Sequence, residues 1–171
     1  TSRSKVFAID PGNELSAYCI TDMNLKPRRH EKLANYDLLG ILHDERDADN
    51  FYAIEMIASY GMPVGKEVFD TCVWIGRFTE RIYEETGRVP ILIYRKDEKL
   101  TICNSPRAND ATIRQALVDR FAPGVPNHGK GRKAAPGWFY GFRADIWQAY
   151  AVAVTYHDKY KGEDNVRTSR Y

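Results

Sequence analysis

The stretch Lys5-Val6-Phe7-Ala8-Ile9-Asp10-Pro11-Gly12 constrains the fold more than any other part of this chain. Val6, Phe7 and Ile9 are β-branched or aromatic, and a short apolar run of this kind suits a strand buried on both faces. Pro11-Gly12 ends it, because proline has no amide donor and glycine accepts positive φ. An ionised carboxylate at the last position of a central strand is costly unless it is paired or bound to metal. Asp10 therefore reads either as a metal ligand or as a turn-capping residue ahead of Pro-Gly. The choice depends on whether the rest of the chain supplies partners.

Beyond the Pro-Gly turn, Leu15 to Thr21 is rich in strand formers and Lys26 to Leu33 alternates basic and other residues, with a turn at Asp22-Met23-Asn24. The opening is thus expected to be a three-stranded meander. Tyr36 to His43 reads as a short helix, and Asp44 to Asn50 as a loop or helix end. Asn50 to Ile57 is a second apolar strand and again carries one acid, Glu55, which alternation turns to the face opposite Ile54 and Met56. Ala58 to Gly65 should be a flexible connection.

A long helix is predicted over Lys66 to Thr86, with Val68, Cys72, Ile75 and Ile82 on one stripe widened by Phe69, Trp74 and Phe78. Gly87 stops it. Val89 to Tyr94 should then be a strand of parallel type, since a helix precedes it. Asn109-Asp110 can cap a helix from Ala111 to Phe121, Phe121 to Gly137 is rich in Pro and Gly, and helical spacing resumes from Ala144 to Tyr156. These elements predict an α/β domain with a mixed sheet and helices on both faces, covering residues 1–158, followed by a polar tail, 159–171.

Size and composition agree with one soluble domain: 171 residues, 43% hydrophobic, 28% charged, net charge +2. Cys19, Cys72 and Cys103 are scattered without a C-x-x-C pair, which fits buried thiols in a reducing compartment better than disulfides or zinc. No apolar run approaches the roughly 20 residues of a membrane span, and no secretory signal is visible. A cytoplasmic protein without a membrane partner is expected.

Three acids from three elements then stand out. Asp10 and Glu55 lie on strands expected to be neighbours, and Asp145 opens the last helix in Gly141-Phe142-Arg143-Ala144-Asp145-Ile146-Trp147. Gathered at one end of a sheet they would repel each other unless divalent cations sat between them, and hard oxygen ligands suit Mg²⁺ or Mn²⁺. Two such ions about 3.5–4 Å apart activate a water and stabilise the leaving oxygen of a phosphodiester. Each acid also has an ordinary explanation: Glu55 on an exposed strand face, Asp145 as a helix N-cap.

Charge distribution favours the first view. From Arg120 to Ala144 there is no Asp or Glu, while Arg120, Lys130, Arg132, Lys133 and Arg143 are basic. His128 to Lys133 reads as a flexible basic loop that binds backbone phosphates by Coulomb attraction and counterion release. Trp138, Phe139 and Tyr140 are suited to stacking on bases or to packing as a hydrophobic edge on the sheet, and the second is preferred.

Ala8-Ile9-Asp10-Pro11-Gly12, then Ala53-Ile54-Glu55 ahead of a long helix, then Ala144-Asp145 before an Ala-rich helix, resembles the RuvC-like Holliday junction resolvases of the RNase H-like superfamily. The run Ile54 to Gly65 and Asp145-Ile146-Trp147 look most like the bacteriophage branch. The resemblance implies a five-stranded mixed sheet, a homodimer, and paired Mg²⁺-dependent nicks in a four-way junction, inside a bacterial host's cytoplasm if the chain is phage-encoded. On it, Asp10, Glu55 and Asp145 would hold metal and carry catalysis. The loop Lys130 to Lys133 would approach the scissile phosphate, with Arg132 or Lys133 stabilising the transition state, and Trp74 and Phe78 could supply a dimer face.

The chain departs from the cellular members at one place. They usually carry two ligands three residues apart on the last helix, whereas here Asp145 is followed at that spacing by Gln148, which offers one amide oxygen and no charge. Asp110 and Asp70 are further ligand candidates, though the preferred reading of both is structural, as a helix cap and a helix surface. The expected function is a metal-dependent, structure-selective DNA endonuclease. The alternatives are an RNase H-like nuclease on an RNA–DNA hybrid or flap, a non-catalytic nucleic-acid-binding module, and an α/β domain whose acids are incidental.

Overall fold

A computed structural model describes residues 3–161. Five strands form one sheet in the order β3-β2-β1-β4-β5: β1 (Val6–Asp10), β2 (Leu15–Thr21), β3 (Pro27–Ala34), β4 (Phe51–Met56) and β5 (Ile91–Tyr94). The first three are the expected antiparallel meander, while β4 joins β1, and β5 joins β4, in parallel. The central strand is β1. It has neighbours on both sides, and Val6, Phe7, Ala8 and Ile9 have no exposure at all.

Helices cover both faces, and the period of two along each strand decides which residues meet them. Phe7, Ile9, Tyr52 and Ile54 point to the face covered by α1 (Asn35–Asp44) and α2 (Lys66–Thr86), where Leu38, Leu42, Ile75, Phe78 and Ile82 complete the core. Val6, Ala8, Ala53, Ile91 and Ile93 point to the other face and meet Val152 and Ala153 of α5 (Ile146–Thr155). Small residues let α5 lie close on the sheet: Ala149 and Ala153, on one face of the helix, are fully buried. Each large apolar side chain buried in these layers stabilises by about 1.5–3 kcal/mol.

The expected boundaries are met to within one or two residues for most elements. Gly87 ends α2 with φ 72° and its amide donates to Tyr83 O (2.8 Å), the left-handed exit that favours glycine. Asn109 caps α4 (Asp110–Phe121), its side chain accepting from the Thr112 amide. The last helix continues as a π-helical turn over Tyr156–Tyr160, where Lys159 and Tyr160 bond to Asp97. The rest of the expected polar tail, 162–171, lies outside the described residues.

One element is unanticipated, and two expectations are corrected. An additional helix, α3 (Arg95–Cys103), follows β5 at once. The basic loop is a tight hairpin, β6 (Gly131–Arg132) against β7 (Ala135–Pro136). Its glycines serve close approach rather than flexibility, since a Cβ on Gly137 would overlap the Gly129 carbonyl oxygen. Finally, Phe78 belongs to the chain's own core, so the large apolar side chains that α2 leaves exposed are Phe69, Val73 and Tyr83. The three cysteines are free, Cys19 being buried. No helix among the described residues is long and apolar enough to cross a membrane.

Candidate active site

Register brings the first two acids together. Ile9 pairs with Ile54 across the parallel β1–β4 ladder, so Asp10 and Glu55 are the next residues along their strands at the same level. Both lie on the face carrying Ala8 and Ala53, which is the α5 face. The exit of β1 is fixed by a buried network. The Gly12 amide donates to Ser16 Oγ (3.0 Å), Ser16 Oγ donates to Asn35 Oδ1 (2.5 Å), and Asn35 Nδ2 donates back to Gly12 O (2.9 Å). Any Cβ at residue 12 would overlap the Leu15 carbonyl oxygen, so this turn requires glycine.

The start of α5 supplies the third wall. Asp145 and Gln148 line a cavity of about 300 Å³ together with Asp10, Glu55, Arg95, Asp110, Arg114 and Trp147. Gln148 Nε2 donates to Glu55 Oε1 (2.7 Å) and also to Glu98 Oε1. Asp145 does not cap its helix. Its carboxylate, half exposed, accepts from Lys32 Nζ of β3 at 2.6 Å.

Glu98 and Arg95 are the residues that sequence reasoning missed. Both sit in the first turn of α3, three residues apart and so on one face of it. Arg95 Nη1 lies 3.6 Å from Glu55 Oε1, and its other nitrogen pairs with Asp110. Glu98 is fully buried. Of the other two acids nominated, Asp110 therefore lines the cavity opposite Arg95, whereas Asp70 pairs with Lys66 on the surface of α2.

Crowded carboxyls change each other's chemistry. Burial raises the Asp10 pKa well above the usual carboxylate range, and the Glu55 and Asp145 charges push it the same way against the pull of Arg95. Burial, then the adjacent Glu55 carboxyl, pushes Glu98 up to about 12. A divalent cation beside such acids favours their ionised form. The donor set is all oxygen, and no His or Cys lines the cavity. Hard ions such as Mg²⁺ and Mn²⁺ fit these donors, and the His and Cys ligands that zinc favours are absent from them. Among the described residues no three His, Cys, Asp or Glu side chains already surround a common point. Two of the carboxylates have cations of the chain's own beside them, Asp145 paired with Lys32 and Glu55 lying 3.6 Å from Arg95.

The basic segment stands apart from this cavity. Lys130, Arg132, Lys133 and Arg143 are not among its lining residues; the cations there are Arg95 and Arg114. Phe139 is fully buried among Phe142, Trp147 and Tyr150, and Trp138 stacks on Phe121 and donates to Tyr150 Oη (3.1 Å). These two aromatics pack as the hydrophobic edge expected, and Tyr140 is exposed.

No family model matches the sequence, and no curated protein does. Solved structures do. The structure of Thermus thermophilus RuvC matches with a TM-score of 0.63 over 89% of this chain and 92% of that one, at 16% identity. T. thermophilus RuvC in complex with Holliday junction substrate matches with a TM-score of 0.62 over 90% and 93%, at 17% identity. At such identity the likeness carries the architecture and leaves the chemistry to be argued from the residues. The chain has a RuvC-like, RNase H-like α/β fold, built on a mixed five-stranded sheet with helices on both faces.

Proposed function

We propose that this protein is a metal-dependent, structure-selective DNA endonuclease that resolves four-way junctions and related branched DNA, of the bacteriophage RuvC-like branch. The observation that carries the reading is the pairing of Asp10 and Glu55 at the ends of adjacent parallel strands, facing Asp145 just ahead of α5 and Gln148 within it, in a fold shared with a junction-bound RuvC.

Asp10, Glu55 and Asp145 would hold Mg²⁺ or Mn²⁺, with the Gln148 amide beside them. Bound there, the ions supply an activated water and stabilise the leaving oxygen. The protein's own contribution is position and charge. The β1–β4 register holds Asp10 and Glu55 side by side, and Asp145 joins them by leaving Lys32. Arg95 and Arg114 line the cavity where a scissile phosphate would enter. Arg114 has no carboxylate partner among the described residues, so its charge is available to DNA. Lys130, Arg132, Lys133 and Arg143 bind the flanking backbone by charge without reading sequence. In-line attack of water on phosphorus leaves a 5′-phosphate and a 3′-hydroxyl. A homodimer, joined through exposed apolar side chains of α2, would match the junction's two-fold symmetry and yield paired nicks. The bacterial cytoplasm is the compartment such a substrate implies.

Digestion of a synthetic four-way junction, a fork and an RNA–DNA hybrid, each with and without Mg²⁺, tests the proposal. Ion-dependent paired nicking of the junction is the expected result. Preference for the hybrid moves the reading to another RNase H-like nuclease, and junction binding with no cleavage in Mg²⁺ or Mn²⁺ moves it to a binding module. Asp145's pairing with Lys32 is the observation that keeps the latter worth testing.

A further inference from the structure

Glu98 is fully buried, stands one turn inside α3, and lies against Glu55 and Gln148. Its Oε1 accepts from Gln148 Nε2, and its Oε2 finds no hydrogen-bond donor. A buried polar group left unbonded costs about 1–3 kcal/mol, and more if it is charged. Folding alone gives no reason to keep a carboxyl here, because a methionine or leucine of similar volume would fill the space without that cost.

Electrostatics supply the reason. Two divalent cations bring four positive charges, against which Asp10, Glu55 and Asp145 set three negative ones. Gln148 contributes none, and Arg95 adds a further positive charge 3.6 Å from Glu55. We infer that Glu98 is the fourth carboxylate of the metal centre, delivered from α3 beside Glu55, with Oε2 as its free donor atom. Gln148 then acts as the amide that fixes both neighbours, Glu55 and Glu98, through one nitrogen. The inference rests on the nuclease reading and assigns to α3 a charge that α5 lacks.

Calorimetric titration of the full chain with MnCl₂, alongside thermal melts with and without Mg²⁺, tests it without reference to cleavage. Glu98→Gln is expected to weaken Mn²⁺ binding by about tenfold or more and to shrink the Mg²⁺-induced rise in Tm. The metal-free Tm should hold or rise, because a buried carboxyl has been replaced by an isosteric amide. Adding Gln148→Glu to that variant returns a carboxylate to the same spot and should recover Mn²⁺ affinity. Wild-type Mn²⁺ affinity in Glu98→Gln overturns the assignment and leaves the nuclease reading standing, as does a lower metal-free Tm with an unchanged Mg²⁺ response. Absence of any Mn²⁺ binding by the wild-type chain removes both. If Glu98→Gln does not fold, Glu98→Asp decides the matter: it withdraws the oxygens by one methylene, so weakened binding supports the assignment and unchanged binding overturns it.

Discussion

At the N-terminal ends of β1 and β4 the Lys5 amide donates to Asn50 Oδ1 (3.2 Å), the Phe51 amide to Lys5 O (2.8 Å), and Asn50 Nδ2 to Glu45 O (3.2 Å). The charges around that end alternate in sign, as in Arg28 with Asp22 and Arg29 with Glu45. At the C-terminal ends of the same strands, one sheet-length away, Asp10, Glu55 and Glu98 crowd together and Glu98 Oε2 goes unbonded. The two ends share strands, register and core, so the difference cannot come from folding. One end is closed by its own hydrogen bonds. The other is left with an excess of like charge, an arrangement that costs stability and makes sense where a ligand of opposite charge completes it.

The largest effect should come from the crowded end. Asp10→Asn or Glu55→Gln is expected to lower junction cleavage by roughly 10³-fold, as expected when a group that stabilises developing charge is removed, while junction binding in a gel-shift assay stays within a few-fold. Full activity in Asp10→Asn would break the comparison outright. The matched change at the closed end, Asn50→Ala, leaves buried partners unbonded and should cost about 1–3 kcal/mol of unfolding free energy. Cleavage per folded molecule should not change. A denaturant midpoint shift with unaltered turnover is the signature that this end serves folding alone.

How much of this was legible in the sequence follows from the same physics. Asp10 and Glu55 could be found because each interrupts a short apolar strand, where a charge has no packing role. The strands themselves were legible from β-branched residues bounded by Pro and Gly. Glu98 was not legible. Arg95-Lys96-Asp97-Glu98-Lys99 carries five charges in succession and has the composition of a solvated turn. It becomes a helix with a buried acid because α3 starts at the end of β5 and packs back on α4 and α5. Arg95 and Arg114 were missed for a related reason: single arginines far apart make no visible patch, whereas Lys130 to Lys133 does. The hairpin was misjudged because three glycines signal freedom by composition but serve close backbone contact in the fold.

pH separates the two ends next. Asp10 and Glu98 hold protons in the folded state at pH values where the unfolded chain has lost them, their ordinary pKa values being about 3.9 and 4.3. A folded pKa above the unfolded one means that unfolding releases protons, so metal-free stability should fall as pH rises. The clean window is pH 7 to 8. His30, whose pKa burial lowers, is largely neutral in the unfolded chain as well by then, and the thiols of the unfolded chain are mostly still protonated. Glu98, pushed up to about 12, keeps its proton across this window, and the expected loss for it is about 1.4 kcal/mol per pH unit. Mg²⁺ should flatten or reverse the slope, because ion binding displaces those protons. A metal-free denaturant midpoint that holds level or rises across this window would show that the carboxyls are not crowded as described.

The smallest effect sharpens the contrast between the cavity's cations and the surface hairpin. Lys133 is exposed, bonds to no other described group and does not line the cavity. If it meets one backbone phosphate, Lys133→Ala should reduce the slope of log affinity against log salt by about 0.9 for duplex DNA, with similar losses on junctions of different sequence. Turnover at saturating DNA should stay near wild type, since the group lies outside the reacting centre. Arg95→Ala, by contrast, removes a charge from the cavity and should lower turnover at saturation. If the two variants behaved alike, either the hairpin would be closing over the cavity when DNA binds or Arg95 would be doing no more than pairing Asp110. The salt slope distinguishes these, because a lost phosphate contact changes it and a lost intramolecular pair does not.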